Sequence, residues 1–573
     1  MTWRFCRQLN PAVTSLSIRS RSFGFDKNRG ETHERCQLAL SGILVVKWQR
    51  TVIRMAYSRK KRLRGKGIAA GVCAALALLA NLACGSGANS GNGGGGTNNP
   101  PPLLRRLSTD IFSNSTSQHA TEVEPSIAGF GSTLVAVFQM GRFFDAGASA
   151  IAFATSSDNG ASWQNGVLPG ITVFTSGIYN AVSDPSVAYD RAHGTWMIAS
   201  LAILGTDTVV VSRSQDGLNW SGPVTVSNTP DADKPWTTCD NSQASPYYGH
   251  CYMAWDDPST NGLFWMSTST DGGQTWSAPA NTGDIATGIG GVPVVQPNGT
   301  VVVPASDDAG AHMLAFLSAD GGSTWSSTTI ISTISDHIVA GNLRNLALPM
   351  SAIDAAGVVY VVWPDCRFRT GCTSNGIVLS TSSDGMTWTK PVRIPIDAVS
   401  STVDHFLAAI AADPSSSGSS AHLALVYHDY PEAACTEVTC ALNVAYVTSQ
   451  DGGASWSAPS QLAGPMSLGW LANTKLGGMV GDYMGVAYSL GFAFPAIAVA
   501  RSNSLTIFDE AIYSTTNPLT QARAAASVER TQPRPGARSD HPQRRFYDLE
   551  NRYPRNPPQF RSAKDCDMRL APR

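Results

Sequence analysis

The chain has 573 residues, a formal net charge of −1, 14% charged and 43% hydrophobic residues, and 53 glycines. Near-neutrality gives no charge excess of the kind that holds nucleic acid. So many apolar residues and turn formers with so little charge exclude a disordered or long-helical protein and suit a large all-β domain.

In chain order, residues 1–54 precede a second start signal and read as a non-native or disordered extension. Met55 opens a basic stretch, Arg59-Lys-Lys-Arg-Leu-Arg-Gly-Lys66. The apolar run Ile68–Ala80 and the small-residue site before Cys84 follow. Residues 55–84 therefore read as a secretory signal peptide. The segment resembles a bacterial lipoprotein signal whose cysteine, here Cys84, becomes lipidated, but Asn81 departs from that pattern. Lipidation and simple cleavage both stay open. The competing reading is a membrane anchor at 68–83, a run shorter than the ~20 residues a span needs. Either way the protein is expected to be secreted or held at the cell envelope. Residues 85–102, rich in Gly, Ser, Asn and Pro, read as a flexible linker.

From residue 103 to 516 one phrase recurs six times: Ser156–Trp163, Ser214–Trp220, Ser269–Trp276, Ser318–Trp325, Ser382–Trp388 and Ser449–Trp456. Four copies read S-x-D-x-G-x-x-W and two are one residue shorter. Ser and the aspartates Asp158, Asp216, Asp271, Asp320, Asp384 and Asp451 accept backbone N–H groups in a tight turn. Gly supplies positive φ, and Trp covers the turn. Each copy sits between two short extended runs, as a hairpin does. Units repeating at this period must stack to bury their apolar faces.

A second phrase precedes most copies, as in Glu124-Pro-Ser-Ile-Ala and Asp184-Pro-Ser-Val-Ala, and reads as the first strand of each unit. A seventh instance, Gly481–Ala487, lacks the turn phrase. Its missing fourth strand is expected from Leu103–Ser108, closing a ring and removing exposed sheet edges. Seven units of about 56 residues fit the span. Three close pairs, Cys239/Cys251, Cys366/Cys372 and Cys435/Cys440, read as disulfides behind a secretion signal. Residues 517–573, with eleven Arg and eight Pro, read as a disordered tail.

The turn phrase resembles the Asp box of sialidases and related bacterial-neuraminidase-repeat proteins. That implies an all-β β-propeller of four-stranded antiparallel blades, seven favoured and six the alternative, with the Asp boxes at the hairpins between third and fourth strands. Ligand sites of such rings lie on the opposite, top face, at first-strand starts and second-strand ends. The top loops are expected to be short.

Sialidases use a Tyr nucleophile with a Glu, an Asp acid/base and three Arg on the substrate carboxylate. What the resemblance implies here is Tyr483, beside Asp482, or else Tyr430 as the Tyr, and Asp184, Asp233 or Asp256 as the acid. Arg142, Arg344, Arg367 and Arg369, with Asp365 and His428, are the substrate-binding candidates. The chain departs from the family: Arg393-Ile-Pro395 follows the fifth Asp box instead of standing in the first unit, and no Glu is evidently paired with a Tyr. Each top-face Asp also reads as a strand cap or turn former.

Two functions stay in competition. One is a sialidase-like exo-glycosidase outside the cytoplasm. The other is a non-catalytic glycan- or protein-binding propeller at the cell surface, attached through Cys84 if that residue is lipidated. A propeller lyase shares the scaffold. A monomer without nucleic acid is expected. No His/Cys zinc spacing is present, and no cofactor is expected, although the Asp-rich top loops offer the oxygens that Ca²⁺ takes.

Overall fold

The computed structural model describes residues 103–502, 507–521 and 526–527. The expected extension at 1–54, signal peptide at 55–84 with Cys84, linker at 85–102 and most of the tail lie outside the described residues.

The described chain is all-β, a β-propeller. Alternating runs form antiparallel ladders between consecutive strands, so sequence neighbours are spatial neighbours. Five sheets hold three to five strands each, and one holds eight. The eight-stranded sheet consists of two four-strand groups, starting at Glu122–Phe130 and Ala181–Asp190, that meet through the single pair Ala148↔Val182. The other groups begin at Asp233–Cys239, the split strand Gly288–Ile289 and Val294–Val295, Met350–Ile353, Asp404–Ala412 and Gly485–Ser489. These first strands pack on one another in chain order, and the last packs on Glu122–Phe130, so the ring closes.

Closure uses the expected strand. Leu104–Arg106 pairs antiparallel with Glu510–Thr515, from Leu104↔Thr515 to Arg106↔Tyr513. Apolar clusters fill the spaces between adjacent sheets, built around fully buried Phe138, Trp255, Trp363, Trp456 and Phe494.

All six Asp boxes occupy the turn after a third strand. In the third box, Ser269 Oγ accepts from Gly273 N at 2.9 Å, while Asp271 Oδ1 accepts from Gln274 N and Thr275 N, both at 2.9 Å. Gly273 has φ +76°, and a Cβ there would meet Met197 Sδ at 2.5 Å, so the repeat needs glycine. Hydrogen bonding to the ionised form outweighs burial and holds the Asp271 carboxyl below its ordinary range. The three expected disulfides are present: Cys239–Cys251, Cys366–Cys372 and Cys435–Cys440.

The first strands are not regular. Register shifts break the ladders between Val123 and Ser126, Ser183 and Ser186, Asp233 and Trp236, and Phe406 and Ala409. Within those shifts Glu124, Asp184, Lys234 and Leu407 adopt φ of +59°, +50°, +48° and +45°. In the first three, proline follows. It has no N–H, so it suits a bulge where the ladder is open. Four non-glycine residues in the left-handed region are strained. In three of them the strain places a charged side chain in one central cluster.

Candidate functional site

The three bulges in Glu122–Phe130, Ala181–Asp190 and Asp233–Cys239 carry Glu124, Asp184, Asp233 and Lys234, and the segment entering the last sheet carries Asp482 and Tyr483. Glu124, Asp184, Asp233, Lys234 and Asp482 are 0–5% exposed. Lys234 Nζ stands 2.8 Å from Asp482 Oδ2 and 3.5 Å from Asp233 Oδ1. Arg344 arrives from the 334–349 connection and holds Asp482 through Nε at 2.6 Å and Nη2 at 2.5 Å. Asp482 N donates to Glu124 Oε1 at 3.2 Å. Gln139 Nε2 donates to Glu124 Oε2 and, at 3.1 Å, to Ser183 Oγ. Ser183 Oγ donates to Asp184 Oδ1 at 3.2 Å, and the Asp184 carboxyl adjoins those of Asp233 and Glu124.

Four carboxyl groups thus face Lys234, Arg344 and Arg142, and the one driven towards its protonated form is Glu124. Burial first, then repulsion by Asp184 and Asp482, pushes that carboxyl up to about 8. Burial alone would also raise Asp184, but the Lys234 charge and then the adjoining carboxyls of Asp233 and Glu124 outweigh it and hold that group below the ordinary range. Asp482 is likewise buried and is held far down by Arg344 and Lys234. Neighbouring carboxyls driven in opposite directions are the arrangement that separates a proton donor from an anion.

Tyr483 is buried beside the cluster. Its ring meets Trp236 edge-on at 5.0 Å, and its hydroxyl donates to Pro185 O at 3.0 Å. Burial, then the charges of Glu124, Asp184 and Asp482, push the phenol well above its ordinary value. Glu124, Asp184 and Asp482 are thus grouped around this phenol, a grouping not evident from the sequence. The signal was present in the recurrent acidic-Pro phrase, which marks the bulges. Arg142 is buried next to Arg344; burial and that neighbour lower it to about 10. Its Nε points at Met479 Sδ, 3.2 Å away.

The remaining candidates have their partners elsewhere. Asp256 lies opposite Asp233 in the ladder and accepts from Gly290 N at 3.0 Å. Asp365 takes Arg367 on both oxygens, at 2.8 and 2.6 Å, and Trp363 Nε1 at 3.1 Å. Arg369 holds both oxygens of Asp397 at 2.9 Å, and Arg393 ends on the same carboxylate. These pairs tie down the loops around Cys366–Cys372. His428 is buried and stacked with Phe406 at 6.3 Å, and burial lowers its pKa to about 3. Tyr430 is buried in the apolar cluster of the Asp404–Ser467 group.

The expectation of short top loops is corrected by the 334–349 connection, which reaches from the Thr329–Thr333 strand to the segment before Gly485. Sequence spacing gave its length but not its course. Among the described residues, no group of three or more His, Cys, Asp and Glu is arranged to hold a metal ion.

Comparison with known proteins bears on the repeat. Residues 204–428 match the family model of the BNR repeat-like domain. No curated protein matches the sequence. Among solved structures, the Hadza microbial sialidase Hz136 is 16% identical, with a TM-score of 0.36, covering 70% of this chain and 67% of that one. The α-L-arabinofuranosidase Arb93A of Fusarium graminearum is 14% identical, with a TM-score of 0.39, covering 61% and 98%. A polysaccharide lyase of family PL25, an ulvan lyase, is 11% identical, with a TM-score of 0.42, covering 73% and 96%.

Proposed function

We propose that this chain is a glycan-acting propeller, an exo-glycosidase of the extracytoplasmic space whose centre is the Glu124 cluster. The observation that carries the reading is the pair of adjoining carboxyls, Glu124 pushed up to about 8 and Asp184 held low. Glycosidic bond cleavage needs a proton on the leaving oxygen and negative charge facing the oxocarbenium-like ring. In this proposal Glu124 gives its proton to the leaving oxygen as the glycosidic bond breaks, the carboxylates of Asp184 and Asp482 stabilise the developing positive charge, and a water adds to the anomeric carbon, its proton restoring Glu124. Arg344 and Lys234 orient the sugar. Tyr483 stays protonated and, with Trp236, offers an apolar floor.

Counting each half of the eight-stranded sheet as a blade gives the seven-bladed ring we infer. The three disulfides support an oxidising compartment. A glycan as the ligand, a monomer, and attachment through Cys84 belong to the same proposal.

The second reading, a binding propeller without chemistry, is favoured by one specific observation: every charge in the cluster is buried and met by charges of the same chain. The test is release from a panel of fluorogenic glycosides, sialoside and arabinofuranoside included, by wild type and Glu124→Gln. Release that is lost in a normally folded Glu124→Gln establishes the glycosidase. No release from any member of the panel moves the protein to the binding reading.

A further inference from the structure

The connection 334–349 joins two successive strand groups but does not take the short way. Val339 and Leu343 are buried with Cys440, Leu468 and Leu471, which belong to the Asp404–Ser467 group and the loop after it. Leu343 pairs with Gly478 in a parallel bridge. Arg344 N donates to Gly478 O at 2.8 Å, and Gly478 N donates to Asn342 O at 3.0 Å. Arg344 then turns inward onto Asp482. At the near end His337 Nδ1 lies 3.0 Å from Asp404 Oδ2, and the Asn375 side chain bonds both backbone groups of His337 at 2.7 Å. The segment is a strap pinned at both ends, and its far end sits on the carboxyl cluster.

Three features single out the far end as the one that moves. The approach is cut to fit: a Cβ on Gly477, whose φ is +110°, would meet Asn342 O at 2.0 Å. The edge is held by two backbone hydrogen bonds, the Arg344 side chain and the buried Leu343. Asn345, next to Arg344, keeps its side-chain oxygen buried without a hydrogen-bond partner among the described residues, and an unmet buried acceptor disfavours the closed arrangement.

We propose that residues 334–349 form a lid whose Arg344 end lifts from Asp482 and from the Gly477–Gly478 edge, opening the central carboxyl cluster to a ligand. That the ligand is a sugar rests on the function proposed above; the motion does not. Glu124, Asp184 and Lys234 are 0–5% exposed while Arg344 holds Asp482.

The experiment uses no substrate, so its failure is separable from failure of the glycosidase reading. Amines of the full chain are acetylated with an N-hydroxysuccinimide ester and followed by peptide mass spectrometry, comparing Lys234 with exposed Lys390. In wild type Lys234 reacts far more slowly. Arg344→Ala removes the latch charge. Gly477→Ala keeps Arg344 but pushes the strap off its edge. Both are expected to raise the Lys234 rate about tenfold, the factor for losing one modest interaction, with Lys390 unchanged. Unchanged Lys234 in both variants overturns the lid, and so does a rise in Arg344→Ala alone, which traces the change to the lost charge. Hydrogen exchange of wild type covers a variant that does not fold. The amides of Arg344 and Gly478 are expected to exchange faster than those of Asp404–Ala412, and equal protection overturns the proposal.

Discussion

Arg344 and Asp482, 138 positions apart in sequence, meet through two hydrogen bonds, Nε to Oδ1 at 2.6 Å and Nη2 to Oδ2 at 2.5 Å. This fork-on-carboxylate contact is the strong, directional form of an ion pair. It joins a long top connection to the residue beside Tyr483. Arg344→Ala leaves Asp482 buried, with Lys234 still 2.8 Å away. The expected loss is about 1–3 kcal/mol, the cost of stranding a buried acceptor, read by denaturant unfolding. Arg344→Lys is expected to recover only part of it.

If Glu124 is the proton donor, hydrolysis follows its protonated form. Activity is expected to hold through neutral pH and to fall as pH rises through about 8. Glu124→Gln is expected to lower kcat by about 10²–10⁴, the usual worth of general acid catalysis, and to remove that alkaline limb. A pH–rate profile of both proteins decides it.

Glu122 lies at the seam between the first and last sheets, where one carboxyl oxygen accepts from Ile512 N at 3.1 Å. Burial raises the group from 4.5 to about 7. A folded value above the unfolded one means that the folded state binds the proton more tightly. The stability this contributes is full below 4.5 and is lost as pH rises through about 7. The swing is on the order of 3 kcal/mol. Glu122→Gln is expected to flatten the stability profile between pH 5 and 8, while an unchanged slope assigns the dependence to other groups.

Asp271→Ala removes an acceptor for two backbone amides and for Thr275 Oγ1. Its site is an exposed turn after a third strand, and the cluster of Glu124 lies at the first-strand bulges. A stability loss of about 1 kcal/mol with full ligand affinity or activity is expected, measured by melting and by assay on one preparation.

Removing residues 103–108 takes away the strand that pairs with Glu510–Thr515. The ring would keep its other sheets but present a bare edge, which templates association. A lower melting temperature and growth of oligomers by light scattering are expected. A truncated chain that stays monomeric and equally stable would show that the strand contributes no closure.

The Asp boxes, the ring closure and the disulfides were legible because each is local or periodic. Ser269, Asp271 and Gly273 build their turn from their own backbone, and Cys366 and Cys372 are six positions apart. Glu124 was visible only as a polar residue at a strand start. What makes it a proton-holding group is Asp184 from one bulge, Asp482 from the end of the chain, and Arg344 from a connection between two other strand groups. No spacing rule relates those four positions. Arg367 and Arg369 show the converse. By type and position they matched a carboxylate-binding set, and the tertiary structure gives their guanidinium groups to Asp365 and Asp397.

By itself the sequence determined the repeat, the turn chemistry, the cysteine pairs and an all-β ring, since these follow from residues that act on their own backbone or recur with a fixed period. Only the tertiary structure decided which charges meet at the centre, that they are buried and nearly balanced, and that a strap from a distant strand group lies against them. Electrostatic pairing and burial depend on which segments converge in space, and a single sequence does not record that convergence.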